Sequence, residues 1–145
     1  MRFLTEELVS NSPQDTIDAG RKIAGLLSAG SVVALEGTLG SGKTLLASGI
    51  AGGLGIKENI TSPTYTIINE YESSPVLYHI DVYRLKGDRD FQDIGGDEII
   101  NGQGISVIEW SCLIPKSLPE KALTVSLEIT GPSSRLIKIN IPEKS

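Results

Sequence analysis

A chain of 145 residues and 15.4 kDa, 39% hydrophobic and 21% charged, can bury about two thirds of its extended surface in one core, so residues 1–145 are expected to form a single domain. One cysteine, Cys112, excludes an internal disulfide, and one histidine, His79, leaves little for a His-based metal centre. A net charge of −5, from 18 acids against 13 bases, excludes a broad cationic field for nucleic acid; no direct DNA binding is expected. No apolar run approaches the ~20 residues of a membrane span, and the early acids Glu6 and Glu7 do not fit a signal peptide. The expectation is a cytoplasmic protein.

In chain order, residues 2–9 fit a short edge strand. Ser12-Pro13 opens a helix, as N-cap and first helical residue, and Ile17, Ile23, Ala24 and Leu27 follow at helical spacing. Gly30 is positioned to supply a left-handed stop. The run Val32-Val33-Ala34-Leu35 has the continuous apolar character of a strand buried on both faces. A glycine-rich turn and a helix over about 43–54 come next, the opening of a parallel α/β sheet. Residues 61–72 read as a loop entering a strand. From Val76 to Arg84 the pattern alternates, with Val76, Tyr78, Ile80 and Val82 on one side and Leu77, His79, Asp81 and Tyr83 on the other. Gly95-Gly96 divides 86–102 into two short helical pieces. Ile105 to Ile108 is a second buried strand, ending at Glu109-Trp110. After Pro115 and Pro119, Leu123, Val125, Leu127 and Ile129 alternate, Gly131-Pro132-Ser133-Ser134 turns, and Ile137, Ile139 and Ile141 alternate back as a terminal hairpin. The fold class is α/β: a mainly parallel central sheet flanked by helices, with a C-terminal antiparallel hairpin.

Gly37-Thr38-Leu39-Gly40-Ser41-Gly42-Lys43-Thr44 matches G-x-x-x-x-G-K-[ST] at every fixed position. The glycines let main-chain N–H groups converge on an anion, and the following helix adds its positive end. Lys43 brings a point charge to the β- and γ-phosphates, and Thr44 offers a hydroxyl to Mg²⁺. A chance match to the bare pattern is a matter of 1–2 in about 100 for this composition, and the strand before it and helix after it reduce that further.

Such a loop needs an acid near the metal and a group that positions the attacking oxygen. Glu109 closes an apolar strand where a Walker-B-type acid sits; Asp81 shares a strand face with His79 and Tyr83. The bland alternatives are a plain strand-end carboxylate for Glu109 and the solvated face of an edge strand for Asp81. The sequence does not divide the two roles between them. Thr61-Ser62-Pro63-Thr64-Tyr65 carries hydroxyls where a nucleotide-sensing loop would lie, though an ordinary polar turn is nearly as good a reading. His79 reads as a hydrogen-bonded structural residue before a general base, Trp110 as core or as a stacking group near a nucleotide, and Cys112 as a small buried hydrophobe before a nucleophile.

Taken together, Glu36 through Thr44, Ser62-Pro63-Thr64-Tyr65-Thr66, His79-Ile80-Asp81-Val82-Tyr83-Arg84 and Ile108-Glu109-Trp110 resemble the TsaE (YjeE) family over about residues 12–141. These are bacterial ATPases needed to make threonylcarbamoyladenosine in tRNA. The resemblance implies a P-loop NTPase-like fold, binding of ATP or ADP with Mg²⁺ and weak hydrolysis in isolation. By it, Lys43 and Thr44 hold phosphate and metal, Asp81 and Glu109 match the acids implicated in Mg²⁺ binding and hydrolysis, Thr64 lies in a switch-like loop, and Trp110 stands beside the nucleotide. It also implies a partner complex, TsaB and TsaD, which carries the carbamoyl-transfer chemistry and engages the tRNA, with hydrolysis resetting that complex between turnovers. Two departures are visible: Tyr65 replaces the usual Phe, and Ser111-Cys112 follows Trp110 where an acid is common.

Three other functions compete. A small-molecule kinase needs an arginine-bearing lid, for which only Arg84 and Arg89 are placed. A GTP switch would use Asp93-Ile94-Gly95-Gly96 as D-x-x-G, but no buried strand precedes it and no N-K-x-D occurs. A non-catalytic nucleotide-binding interaction module remains open from the residues alone.

Overall fold

The computed structural model of the chain describes residues 3–38, 40–60 and 67–143. Strand β1 is Phe3–Ser10 and helix α1 is Pro13–Ala24. Ser12 caps α1 as expected, its hydroxyl accepting the Asp15 N–H at 3.1 Å, with Pro13 in the first turn and Arg21 and Lys22 in the last. The helix stops earlier than the apolar spacing suggests. Gly25, Leu26 and Leu27 donate to the carbonyls three residues back, the tight bonds that close a last turn. Leu27 therefore packs on the core from outside the helix. Gly30, expected as the stop, has φ +86° but turns the chain into the next strand, its N–H shared between the carbonyls of Gln103 and Gly104.

Strand β2 is Val32–Gly37, helix α2 Lys43–Gly53, strand β3 Ile68–Tyr71 and strand β4 Leu77–Asp81. The two helical pieces are α3, Asp88–Asp93, and α4, Gly96–Ile100, broken at Gly95 as the sequence suggests. Strand β5 is Ile105–Glu109, followed by a 3-10 turn at Ser111–Leu113, and the hairpin is β6, Leu123–Ile129, with β7, Arg135–Pro142.

The strands form one sheet in the order β1-β7-β6-β2-β5-β4-β3. Its centre, β6-β2-β5-β4, is parallel; β3 on one side and β7 on the other run antiparallel to it, and β1 pairs antiparallel with β7. The expected α/β class, parallel centre, edge strand and hairpin are all present. The alternation from Val76 is real but ends as a strand at Asp81, and β4 lies inside the sheet, covered on its outer side by β3.

Both faces are packed, which is why the central strands are continuously apolar. Val33, Leu35 and Val125 meet α1 and α2 through Ile23, Leu46 and Ile50. Val32, Ile80 and Ile108 meet Phe91, Ile100 and Ile114 on the other side. The two helices of the first face cross on glycine: a Cβ on Gly49 would lie 2.1 Å from the Ile17 carbonyl oxygen, and one on Gly20 would lie 2.3 Å from that of Leu46. This contact seats α2, and with it the loop at its start, close against the sheet. Among the described residues no helix is long and apolar enough to cross a membrane.

Candidate nucleotide site

The glycine-rich loop leaves the carboxyl end of β2, beside that of β5 and with that of β4 next beyond it, the edge at which parallel α/β sheets place ligands. Gly42 precedes α2 with φ +105°, a conformation that costs a glycine little. Its turn brings Lys43 back under the loop. The Lys43 side chain is 94% buried by its neighbours (6% exposed). Its Nζ donates to the Gly37 carbonyl at 2.7 Å and sits 3.9 Å from the centre of the Trp110 ring. Ser41 is buried, and its Oγ has no hydrogen-bond partner among the described residues. A Cβ on Gly37 would approach that Oγ to 2.6 Å, so the first glycine is required by close approach. Thr44 follows as the second residue of α2, half-buried; Thr38 and Gly40 are exposed.

The two candidate acids are brought together. Leu35, Glu109 and Asp81 stand in register across β2, β5 and β4, so both carboxylates lie at the same edge as the loop. Their environments differ. Glu109 is 4% exposed and its Oε2 lies 2.5 Å from His79 Nε2, itself 1% exposed; His79 Nδ1 has no partner among the described residues. Asp81 is half-buried, and its Oδ1 accepts the Tyr83 N–H at 3.0 Å. The reading of Asp81 as a residue on the solvated face of an edge strand is thus replaced by one inside the sheet. The His79 reading as a hydrogen-bonded buried group holds. No cluster of three or more His, Cys, Asp or Glu able to hold a metal occurs among the described residues, so a metal here would need ligands from Thr44, one acid and a bound phosphate.

Trp110 packs against the core on the Phe91 side of the sheet without being enclosed by it. It is half-buried with φ +63°, and its ring lies 4.9 Å from that of Tyr83. With Glu36, Gly37, Thr38 and Cys112 it lines an open cleft of about 470 Å³. Cys112 is exposed, which corrects the expectation of a buried residue: the left-handed backbone at Trp110 starts the 3-10 turn and directs the thiol outward. Arg84 and Arg89 are exposed, and Asp93 ends α3 without a preceding buried strand. Leu39 and the segment 61–66, with Thr64 and Tyr65, lie outside the described residues.

One site residue escaped the sequence reading. Arg135, the first residue of β7, donates from Nε to the Ser41 carbonyl at 3.0 Å and from Nη2 to the Gly40 carbonyl at 3.3 Å. It is 94 positions from Ser41 and in no local motif; only the closing turn just before it, Gly131 to Ser134, was visible.

Comparison with known proteins agrees with this geometry. The model of the family described as threonylcarbamoyl adenosine biosynthesis protein TsaE matches residues 10–137. The tRNA threonylcarbamoyladenosine biosynthesis protein TsaE of Treponema pallidum is 47% identical over 131 residues, covering 90% of this chain and 97% of that protein. Its Bacillus subtilis counterpart is 40% identical over 127 residues, covering 87% and 79%. The crystal structure of Bacillus subtilis YdiB superposes with a TM-score of 0.80 at 34% identity, over 97% of this chain and 88% of that one. The α/β architecture is therefore that of a solved relative, and the chain belongs to the TsaE family of proteins for threonylcarbamoyladenosine biosynthesis in tRNA.

Proposed function

We propose that the protein is a Mg²⁺-dependent ATPase that binds ATP or ADP and serves threonylcarbamoyladenosine synthesis as a partner of TsaB and TsaD, with tRNA engaged through that complex. The observation that carries the reading is the convergence, at one sheet edge, of the phosphate loop and two carboxylates of unlike environment. The donor set suits a nucleotide polyphosphate. Lys43 carries a buried ammonium whose hydrogen bond in the structure goes to a neutral carbonyl, and Ser41 has a buried hydroxyl without a partner among the described residues.

In this reading residues 37–44 embrace the phosphates, with main-chain N–H groups of the loop and the start of α2 as donors. Lys43 exchanges the Gly37 carbonyl for a phosphate oxygen. Thr44 and one of Asp81 and Glu109 hold Mg²⁺, which when bound would neutralise charge on the phosphates. His79 fixes the Glu109 carboxylate in one orientation, whereas Asp81, more open, has freedom to accept a proton from water or to bind the metal through it. Trp110 forms the cleft wall beside the nucleotide, and by the family resemblance Thr64 adds a hydroxyl. Hydrolysis then resets the TsaB–TsaD complex between turnovers in the cytoplasm.

The test is phosphate release from Mg-ATP, alone and with TsaB–TsaD, with Lys43→Ala as control. Stimulation by the complex, lost in the variant, is the expected result. Strong turnover indifferent to the complex would instead indicate an independent enzyme, and tight ATP binding without turnover in either setting a non-catalytic module.

A further inference from the structure

Arg135 is held in the fold by more than its strand. Besides the Gly40 and Ser41 carbonyls, its Nη1 donates to the carbonyls of Gly131 and Ser134 at 3.2 and 2.8 Å. One guanidinium plane thereby ties the phosphate loop to the turn between β6 and β7. All four acceptors are neutral main-chain oxygens, and no ion pair engages Arg135 among the described residues.

A loop that receives an anion on converging N–H groups must turn its carbonyls away from that anion. The outward carbonyls of Gly40 and Ser41 are the ones that Arg135 grips. Gly40 and Gly42, with φ of +80° and +105°, give the loop little stiffness of its own, since glycine leaves such conformations as readily as it enters them. A planar fork fixes two successive carbonyls in a way that a lysine ammonium does not. We infer that Arg135 is a positioning residue: acting through the Gly40 and Ser41 carbonyls, it holds the phosphate loop in its anion-binding form and so links the β6–β7 hairpin to affinity for a nucleoside polyphosphate.

The coupling to affinity rests on the nucleotide reading proposed above. The strand itself does not need the side chain, because β7 is paired along its length with β1 and with β6.

Two measurements on the full chain test it: the Kd for Mg-ADP by calorimetry, and amide hydrogen exchange of peptides spanning the loop and the hairpin in ligand-free protein. In Arg135→Ala the Kd is expected to rise about tenfold, the yield of losing two charge-assisted bonds that support the loop. Exchange in the loop should accelerate while the β6–β7 ladder stays protected, a contrast that a merely structural role would not produce. Arg135→Lys, which retains the charge but not the fork, is expected to bind at least about threefold more weakly than the wild type. Unchanged affinity and loop exchange in Arg135→Ala would overturn the inference, as would full recovery in Arg135→Lys. If Arg135→Ala loses the ladder, the lysine variant decides by the same two readings. If the unaltered protein binds no Mg-ADP, the proposed function fails, and the coupling to affinity fails with it.

Discussion

Replacing one member of the His79–Glu109 pair by leucine leaves a polar group in a site that admits almost no water. Both side chains are nearly inaccessible, 1% and 5% exposed, and they meet at 2.5 Å. The orphaned partner then carries its desolvation without compensation, a loss of about 3–5 kcal/mol for a broken buried pair. At roughly 2–4 °C per kcal/mol for a domain near this size, each of His79→Leu and Glu109→Leu should lower the Tm by about 6–20 °C. The double variant behaves differently, because it removes both polar groups and returns apolar volume to a space walled by the central strands. Its stability is expected within about 1–2 kcal/mol of the wild type, since apolar replacement of a whole buried pair is commonly neutral or better. Urea denaturation of the four proteins gives the coupling energy directly. Additivity, with the double variant as damaged as the two singles combined, would refute the claim that these groups exist in the fold as a pair. In the proposed function the double variant also releases no phosphate from ATP, which separates what the pair does for stability from the role proposed for Glu109 at the site.

Lys43→Ala should reduce phosphate release at least ~100-fold, the loss typical when one preorganised donor to developing charge is removed, with the thermal melt as a check that the fold survives. Gly49→Ala should cost about 1–3 kcal/mol, because its Cβ would press on the Ile17 carbonyl, which belongs to a packed helix and cannot swing aside. Gly52→Ala on the same helix meets only the end of the Arg21 side chain at 3.4 Å and should be neutral or stabilising by up to about 1 kcal/mol; equal melting temperatures for the two variants would contradict the close crossing of α1 and α2. Cys112, exposed at the rim of the cleft, should react fully with N-ethylmaleimide in the folded protein and more slowly with Mg-ATP present. A thiol that reacts only after unfolding would place it elsewhere.

Features encoded within a few residues were legible in the sequence: the Ser12-Pro13 helix start, the strand-loop-helix around Lys43, the break at Gly95-Gly96 and the hairpin alternation. What escaped depends on neighbours distant along the chain. Alternation from Val76 told which side chains of β4 share a face, but whether β4 is an edge strand depends on β3 and β5 lying to either side. The close pairing of His79 with Glu109 needs that sheet order as well. Leu27 kept helical spacing after the helix had ended, since an apolar residue just past the last turn can reach the same core. Cys112 went against the general tendency of cysteine to be buried because one backbone angle, at Trp110, ends β5 and starts the 3-10 turn on which Cys112 lies, at the rim of the cleft. Arg135 joins the site only once the sheet has closed, by a contact for which no spacing rule exists.

That angle at Trp110 also links the two halves of the site. Left-handed backbone at a bulky residue costs about 1–3 kcal/mol, and it ends β5 with Glu109 facing inward and the indole facing the phosphate loop. Two contacts offset the cost: the Lys43 ammonium 3.9 Å from the indole centre, worth about 0.5–2 kcal/mol, and the Tyr83 ring, worth about 0.5–1.5 kcal/mol. Strain and compensation are of the same size, so neither dominates. In the proposed function a phosphate draws on the Lys43 ammonium, which weakens one of the two contacts and leaves the turn to Tyr83 and to the packing of the indole against the core on the Phe91 side of the sheet. Tyr83 is 62% exposed and bonded through its N–H to Asp81, so one residue that holds the turn is attached to the second acid. Phosphate arriving at the loop therefore changes the balance of forces on Trp110, which follows the strand end that carries Glu109 and touches, through Tyr83, the strand end that carries Asp81.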